Sequence, residues 1–591
     1  MKARVVLALA TLASIAPHAE AGIARLWAVN DGQNIERDDV ARPFRDRNSA
    51  WDGQRARIFA ARNEIVAFQV IVEADREGIG ALRLSLPELR LRDGASRIAY
   101  APPAGDPTDT VGRPIQIFPV HYMNVTQTTR ATWAWEPGSR AAPADTLGEK
   151  EVQLVPENAR PGRGGFPLAV GPSRNQAIWI DVYTGHDRPA GIYDGTVTVT
   201  GDDRTFTMPV ELVVHDFALP DQNSLTAMVY FEPEQPELYH GRNLDASYHR
   251  AAHRNRVELV HAYDQAAVEG ALGRFDGSDF TAARGYEGPG EGVGNILAPA
   301  SFYGPGRGFD DRATAWRQSD EWMAFLKRRA PGVRTFLYMP DEPAPSQYPV
   351  IQRLAGNVHS NPGPGRALPI FITKHWVPEL ARSIDIWCAP PQYLDLARAA
   401  RERAAGHEYW TYNSGRPNGP ALLIDAPATE PRAMMWAAFK HGLDGYFYWH
   451  GVHWQHNHQK QGERRQDVWS NPITFDNRGQ PHKRDHGYLN GDGVLLYPGE
   501  EKVHPEQDRG IAGPISSVQL ANLRRGLQDH LYLTLARARG QGAVVEEVLR
   551  SVVPRVFSDA GPTVGFAETG DAFEAARLRL AEAIAGSGGS R

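Results

Sequence analysis

Two patterns of apolar and polar positions divide the chain. From Gly22 to about Gln222, runs such as "IVAFQVIVEA", "IQIFPVHYMNV", "QAIWIDVYT" and "FTMPVELVVHDF" are rich in Val, Ile, Thr and aromatic residues. Gly, Pro and Asp turns separate them. Several alternate apolar with polar, the period-two signature of strands with one face buried and one wet. The pattern predicts a β-sandwich over residues 22–222, either a scaffold or an independent sugar-binding module.

After "ALPDQNS" the pattern becomes strand and helix in alternation. Candidate buried strands are "LTAMVYFE" (225–232), "VELVHAYD" (257–264), "RTFLYM" (334–339), "LPIFITK" (368–374), "SIDIWCA" (383–389), "HEYWTYN" (407–413), "DGYFYWH" (444–450) and "GDGVLLYP" (491–498). Amphipathic stretches such as "TAWRQSDEWMAFLKRRA" and "EPRAMMWAAFKHG" lie between some of them. Continuous apolar strands alternating with helices mean a parallel sheet covered on its outer face, and eight units predict a (β/α)8 TIM-type barrel over 223–540. The Gly-rich segment 265–310 has the length of an active-site loop. Residues 541–591 read as a helical extension with a frayed Gly/Ser end.

The first residues carry Lys2 and Arg4, an apolar run from Val5 to Ala16, and Ala19-Glu20-Ala21. That predicts a signal peptide at 1–21, cleaved near Ala21, and a periplasmic or secreted protein. Composition adds exclusions. A formal charge of −6 over 591 residues, with no basic block, argues against nucleic acid or a membrane surface as partner. Cys388 is the only cysteine, so no internal disulfide is available, and "IDIWCAP" suits a buried apolar filler.

Catalytic groups of such barrels sit at the C-terminal ends of the strands. Those ends carry Tyr338, Asp341 and Glu342; Lys374, His375 and Trp376; Gln392 and Tyr393; Tyr412 and Asn413; and Trp449, His450, His453 and Trp454. Aromatics and amides around a carboxylate pair suit carbohydrate: ring faces stack on sugar C–H faces while short polar groups bind hydroxyls. Pro340 and Pro343 bracket the pair and break the strand's regular pleat, so both carboxylates can face one mouth. An adjacent Asp-Glu is the arrangement expected when the nucleophile is the substrate's own 2-acetamido oxygen, with Glu342 as acid/base and Asp341 holding the acetamido nitrogen. The alternative is that Asp341 caps the next turn and Glu342 is merely exposed.

Other readings stay open. His450, His453, His456 and His458 could suggest a metal, but their spacing is irregular and lacks a carboxylate partner, so neither metal nor cofactor is expected. Arg524, Arg525 and Asp529 in "LANLRRGLQDHLYL" read as structural ion pairs. A non-catalytic sugar-binding protein that kept the barrel would tend to lose the acid that this chain retains at Glu342, and a glycosidase pairing Glu342 with Glu232 or Asp264 would show carboxyl separations of about 5–5.5 Å or 6.5–9.5 Å across a pocket.

The block "EYWTYNSGRPNGPALLIDAPATEPRAMMWAAFKHGLDGYFYWHGVHW", with "NGDGVLLYPG" and "GPISSVQLANLRRGLQDHLYLTLA", resembles the catalytic domain of glycoside hydrolase family 123 and its DUF4091 relatives. "ARNEIVAFQVIVEA" and "WIDVYTGHDRPAGIYDGTVTV" are similar to the β-sandwich preceding it in those proteins. The resemblance implies a retaining, substrate-assisted β-N-acetylgalactosaminidase whose consecutive Asp-Glu corresponds to Asp341 and Glu342. One departure is "YWHGVHW", where relatives tend to show a histidine-tryptophan-glycine order.

Overall fold

The computed structural model describes residues 22–39, 42–131, 134–135, 142, 146–413, 415–454, 465–478 and 487–586. The expected leader, 1–21, lies outside them.

The N-terminal region is sheet-rich. A five-stranded sheet runs in the order Ile23–Asn30, Glu64–Ala74, Asn175–Thr184, Ile115–Val125, Gly148–Leu154. A seven-stranded sheet is built around Gly191–Gly201 and Arg204–Ala218. Phe68, Val70 and Ile180 of the first share one apolar core with Val197, Met208 and Val210 of the second. Arg204–Ala218 shows much of the expected alternation. Glu64–Ala74 and Asn175–Thr184 do not, being buried at every position. Their second face is covered by the long helix Val518–Ala538, whose Gln528 accepts the Ile65 N–H (3.2 Å).

That helix ties the N-terminal region to the rest of the chain through buried charge. Arg525 reaches Asp31 (2.7 Å), Glu64 (2.9 Å) and Glu574 (3.0 Å). Arg524 holds Asp181 (2.7 Å), and Asp529 binds Arg432 (2.5 Å) of helix Glu430–His441. Arg577, on helix Gly570–Gly586, pairs with both Glu64 and Glu574. The ion-pair reading of Arg524, Arg525 and Asp529 is therefore correct. The C-terminal helices Gly542–Val552 and Gly570–Gly586 join the same apolar core as Val518–Ala538.

The second half is a seven-stranded parallel sheet. In chain order its strands are Thr226–Tyr230, Glu258–Val260, Leu337–Tyr338, Ile370–Ile372, Ile386–Ala389, Glu408–Tyr412 and Gly445–Tyr448. In space the order is second, first, seventh, sixth, fifth, fourth, third. Alternate side chains separate two cores. Met228, Tyr338, Phe371, Cys388, Trp410 and Phe447 form an inner cluster. Leu337, Ile370, Trp387, Tyr409 and Tyr446 pack beneath helices. Cys388 is fully buried, as a filler should be.

The eight-unit barrel is not completed as expected. Leu496–Pro498, within the expected eighth strand, pairs antiparallel with Pro514–Ser516 outside this sheet. Instead residues 296–300 cross between the sheet's edges. Leu297 bridges Arg334 in parallel fashion, the Ile296 and Leu297 amides donate to the Glu258 carboxylate, and Pro299 accepts the Tyr263 N–H (2.8 Å). The strand units are also unequal: only the short turn Pro378–Leu380 lies between the fourth and fifth strands.

Candidate active site

The third strand ends at Tyr338, and the chain bends through Pro340, Asp341 and Glu342. Both carboxylate residues are exposed. Glu342 has φ +42°, a left-handed conformation costing a non-glycine residue about 1–3 kcal/mol. It also precedes Pro343, whose ring restricts the backbone before it. The surroundings hold this geometry: the Glu342 N–H donates to Thr373 Oγ1 (3.1 Å), just beyond the fourth strand.

Thr373 joins the two halves of the pair. Its hydroxyl accepts from the Glu342 backbone and donates to Asp341 Oδ1 (2.7 Å). Tyr338 Oη donates to the same Oδ1 (2.9 Å). Asp341 Oδ2 has no hydrogen-bond partner among the described residues, so one carboxylate oxygen is saturated and the other stays available. Tyr412 Oη, ending the sixth strand, donates to Glu342 Oε1. Burial first, then the nearby carboxylates, pushes both phenols well above the usual tyrosine range. They are donors throughout neutral pH.

Around the pair lies an aromatic wall. Tyr230 stacks on Phe302 (4.7 Å between centroids), and Tyr303 lies edge-on to Tyr230 (4.8 Å) and tilted against Tyr338 (5.5 Å). Phe302 and Tyr303 come from the Gly-rich segment, which thus reaches the mouth as a loop should. Tyr303 Oη donates to the Trp449 carbonyl (2.7 Å). Asn413, with φ +53°, accepts the Trp449 N–H through its side chain (3.3 Å). Trp449 is half-buried, and its indole N–H donates to Asp492 Oδ1 (3.0 Å). Burial raises the Asp492 carboxyl to about 6.

Other expected sugar contacts are reassigned. Trp454 is fully buried, and its indole donates to the Leu496 carbonyl (3.0 Å): it is core, because its segment folds under the mouth. Tyr338 is also fully buried and serves Asp341. His450 and His453 are 3% exposed each and pack against the Trp449 ring at 5.6 and 4.9 Å. His450 lies 3.5 Å from Glu232, and that contact, outweighing burial, lowers the Glu232 carboxyl to about 2. The Arg398 guanidinium covers one face of Trp376 at 3.6 Å. Lys374, His375, Gln392 and Tyr393 follow the fourth and fifth strands. Tyr393 is 60% exposed with its ring 5.3 Å from His375, and Gln392 Oε1 is buried without a partner.

Asp264 caps helix Gln265–Gly270, accepting the Ala267 N–H, which gives it a structural task. His456 and His458 lie outside the described residues. Among the described residues no group of three His, Cys, Asp or Glu could hold a metal, and no helix is long and apolar enough to cross a membrane.

Thr373, Tyr303 and Asp492 were missed by sequence reasoning. Thr373 had a usable signal, a hydroxyl immediately before Lys374 at a strand end. A cavity of about 600 Å³ also opens at the opposite, N-terminal ends of the strands, beside Thr226, Glu258, Arg334 and Asp444. Two ion pairs close within its lining: Arg334 with Glu408 (2.5 Å) and Arg403 with Asp444 (2.8 Å).

Residues 370–536 match the family model for the glycoside hydrolase 123 catalytic domain. Over that stretch, a little over a quarter of its length, the chain is similar to family 123 glycoside hydrolases. The matched range includes Thr373, Tyr412, Trp449 and Asp492; Asp341 and Glu342 precede it. The chain also resembles a family 123 enzyme from Clostridium perfringens, described for glycolipid glycan hydrolysis. They share 11% identity and a TM-score of 0.62 over 95% of this chain and 98% of that one, which is likeness of fold. β-Glucuronidases from Parabacteroides merdae (11% identity, 62% and 47% of the two chains, TM-score 0.21) and Bacteroides uniformis (9%, 74% and 49%, 0.21) align too loosely to inform the site. No curated protein matches the chain.

Proposed function

We propose that this glycoside hydrolase cleaves 2-acetamido sugars from glycans with retention of configuration, as a substrate-assisted β-N-acetylgalactosaminidase. One observation carries the reading: Asp341 Oδ1 is saturated by Tyr338 and Thr373, leaving Oδ2 for an acetamido N–H, beside a Glu342 turned into the mouth.

In the first step Glu342 gives its proton to the glycosidic oxygen as the C1–O bond breaks. The acetamido oxygen bonds to C1, and the charge growing on the acetamido nitrogen is shared with Asp341. In the second step Glu342 takes a proton from water, whose oxygen attacks C1 and reopens the ring. Two displacements at C1 return the original configuration. Tyr412 holds Glu342 Oε1 through its hydroxyl while the carboxyl gives and takes the proton.

A panel of aryl β-glycosides with and without a 2-acetamido group tests this, together with a thiazoline mimic of the cyclised intermediate. Hydrolysis confined to the acetamido sugars, with thiazoline inhibition, is expected. Undiminished cleavage of glycosides lacking that group would sink the reading and turn attention to Glu232. A glycolipid glycan, the substrate class of the Clostridium enzyme, belongs in the panel.

The leader-like residues 1–21 support export to the periplasm or medium, the mature chain starting near Gly22. Intact mass of exported material showing Met1 retained would refute that.

A further inference from the structure

Trp449 is held at three points. Its N–H donates to Asn413 (3.3 Å), its carbonyl accepts from Tyr303 (2.7 Å), and its indole N–H donates to Asp492 Oδ1 (3.0 Å). The first two fix the backbone. Only the third is a hydrogen bond to the ring, which also packs against His450 and His453.

Asp492 differs from the other carboxylates that receive an indole N–H. Among the described residues, Glu73, Asp181, Glu408 and Asp529 bind Trp27, Trp179, Trp410 and Trp436 in the same way. Each of the four is also paired with an arginine: Arg45, Arg524, Arg334 and Arg432 respectively. Asp492, only 9% exposed, has no Lys or Arg partner among the described residues. Its other donors are neutral too, among them Tyr448 Oη (3.1 Å), which in turn accepts the Gly493 N–H (2.8 Å). Burying a carboxylate without a cation is costly. Core packing alone gives no reason for it.

Gly493 completes the arrangement. Its φ of +79° suits glycine, and a Cβ there would stand 2.7 Å from Trp449 Cζ2 and 3.0 Å from His453 Cβ. One dipeptide therefore anchors the indole nitrogen and makes room for the ring carbons beside it.

We propose that Asp492 is a positioning residue for the sugar platform: with Gly493 it fixes the Trp449 ring, and its uncompensated charge enriches the indole face that stacks on the sugar. The ring then meets the sugar C–H face without losing rotamer freedom on binding, and a more electron-rich face attracts the partial positive charge of those C–H groups. The inference rests on reading this mouth as a sugar site. It assigns Asp492 no proton transfer; it acts through Trp449.

The test compares Asp492→Asn, Asp492→Ala and Trp449→Ala, plus the double variant with both alanines. Kinetics use 4-nitrophenyl 2-acetamido-2-deoxy-β-galactoside, and tryptophan fluorescence is titrated with a panel of free monosaccharides. Asp492→Ala is expected to raise KM about 10-fold with kcat within about 3-fold, and to shrink the fluorescence response. Asp492→Asn should recover most of the KM, because an amide oxygen still accepts both donors. In the Trp449→Ala background, Asp492→Ala should add less than 2-fold. An equal loss with or without Trp449 would overturn the inference, as would a lowered Tm with KM unchanged. If the acetamido glycoside is not cleaved, the proposed reaction fails by itself. The fluorescence titration then decides: a sugar response lost in Asp492→Ala upholds the positioning role, and no response from any sugar overturns it.

Discussion

Two groups of carboxylates in this protein are built on opposite rules. At the junction under helix Val518–Ala538, Asp31, Glu64, Asp529 and Glu574 are buried and held by Arg432, Arg525 and Arg577. At the mouth, Asp341 is exposed and held by two neutral hydroxyls, with no Lys or Arg partner among the described residues. A network in which cations meet buried carboxylates has little left to offer a substrate. Hydroxyl donors fix a carboxylate in place without neutralising it, which leaves its charge for chemistry. The first arrangement joins parts of the chain; the second prepares a reaction.

The comparison breaks most visibly at the pair itself. Glu342→Gln and Asp341→Asn should each lower turnover on a poor leaving group by about 10²–10⁴-fold, with Tm little changed. They should also part company: Glu342→Gln should spare substrates whose leaving group needs no protonation, while Asp341→Asn should not. A large Tm loss with turnover intact would make the mouth structural and the contrast empty.

The junction should respond the other way. Arg525→Met strands Asp31 and leaves Glu64 to Arg577 alone, and should cost about 3–5 kcal/mol of stability, read by urea unfolding, while kcat per folded molecule stays within about 2-fold. A selective loss of kcat would mean that the junction communicates with the site.

Thr373→Val sharpens the comparison, since it removes the hydroxyl shared by Asp341 and the Glu342 backbone while keeping the shape. A hydrogen bond to a charged group is worth about 1.5–3 kcal/mol, so kcat/KM should fall roughly 10- to 100-fold. Recovery in Thr373→Ser, read in the same assay, would assign the loss to the hydroxyl.

The smallest effect is a slope. Burial raises the Asp492 carboxyl from an ordinary value near 4 to about 6. The folded chain then binds that proton more tightly than the unfolded chain. The contribution of Asp492 to stability is therefore full below about pH 4 and declines as pH rises to about 6, by about 3 kcal/mol in all. Asp492→Asn should flatten the stability curve across that window. Identical slopes would mean that Asp492 is not buried as a charge.

Local chemistry in the sequence determined a good deal. Apolar runs placed all seven parallel strands, because a strand buried on both faces needs continuous Val, Ile and aromatic residues whatever surrounds it. Pro340 and Pro343 marked the break in the third strand that frees Asp341 and Glu342 from opposite-face alternation. The paired arginines of "LRRGLQD" read as structural because they lie on a helix far from the strand ends, where the catalytic groups of such a sheet gather.

What tertiary structure alone decided is pairing across distance. "GDGVLLYP" and the Gly-rich stretch before Arg334 both lie near the sheet, but the first has the strand pattern and the second crosses between its edges. Thr373 lies 32 residues beyond Asp341, and Tyr412 lies 70 beyond Glu342. They meet because strand order in a parallel sheet sets which ends are neighbours. Trp449 and Trp454 carry the same side chain five residues apart, and one is half-exposed while the other is fully buried. An indole's surroundings are made by whichever segments fold over it, and no local pattern encodes those.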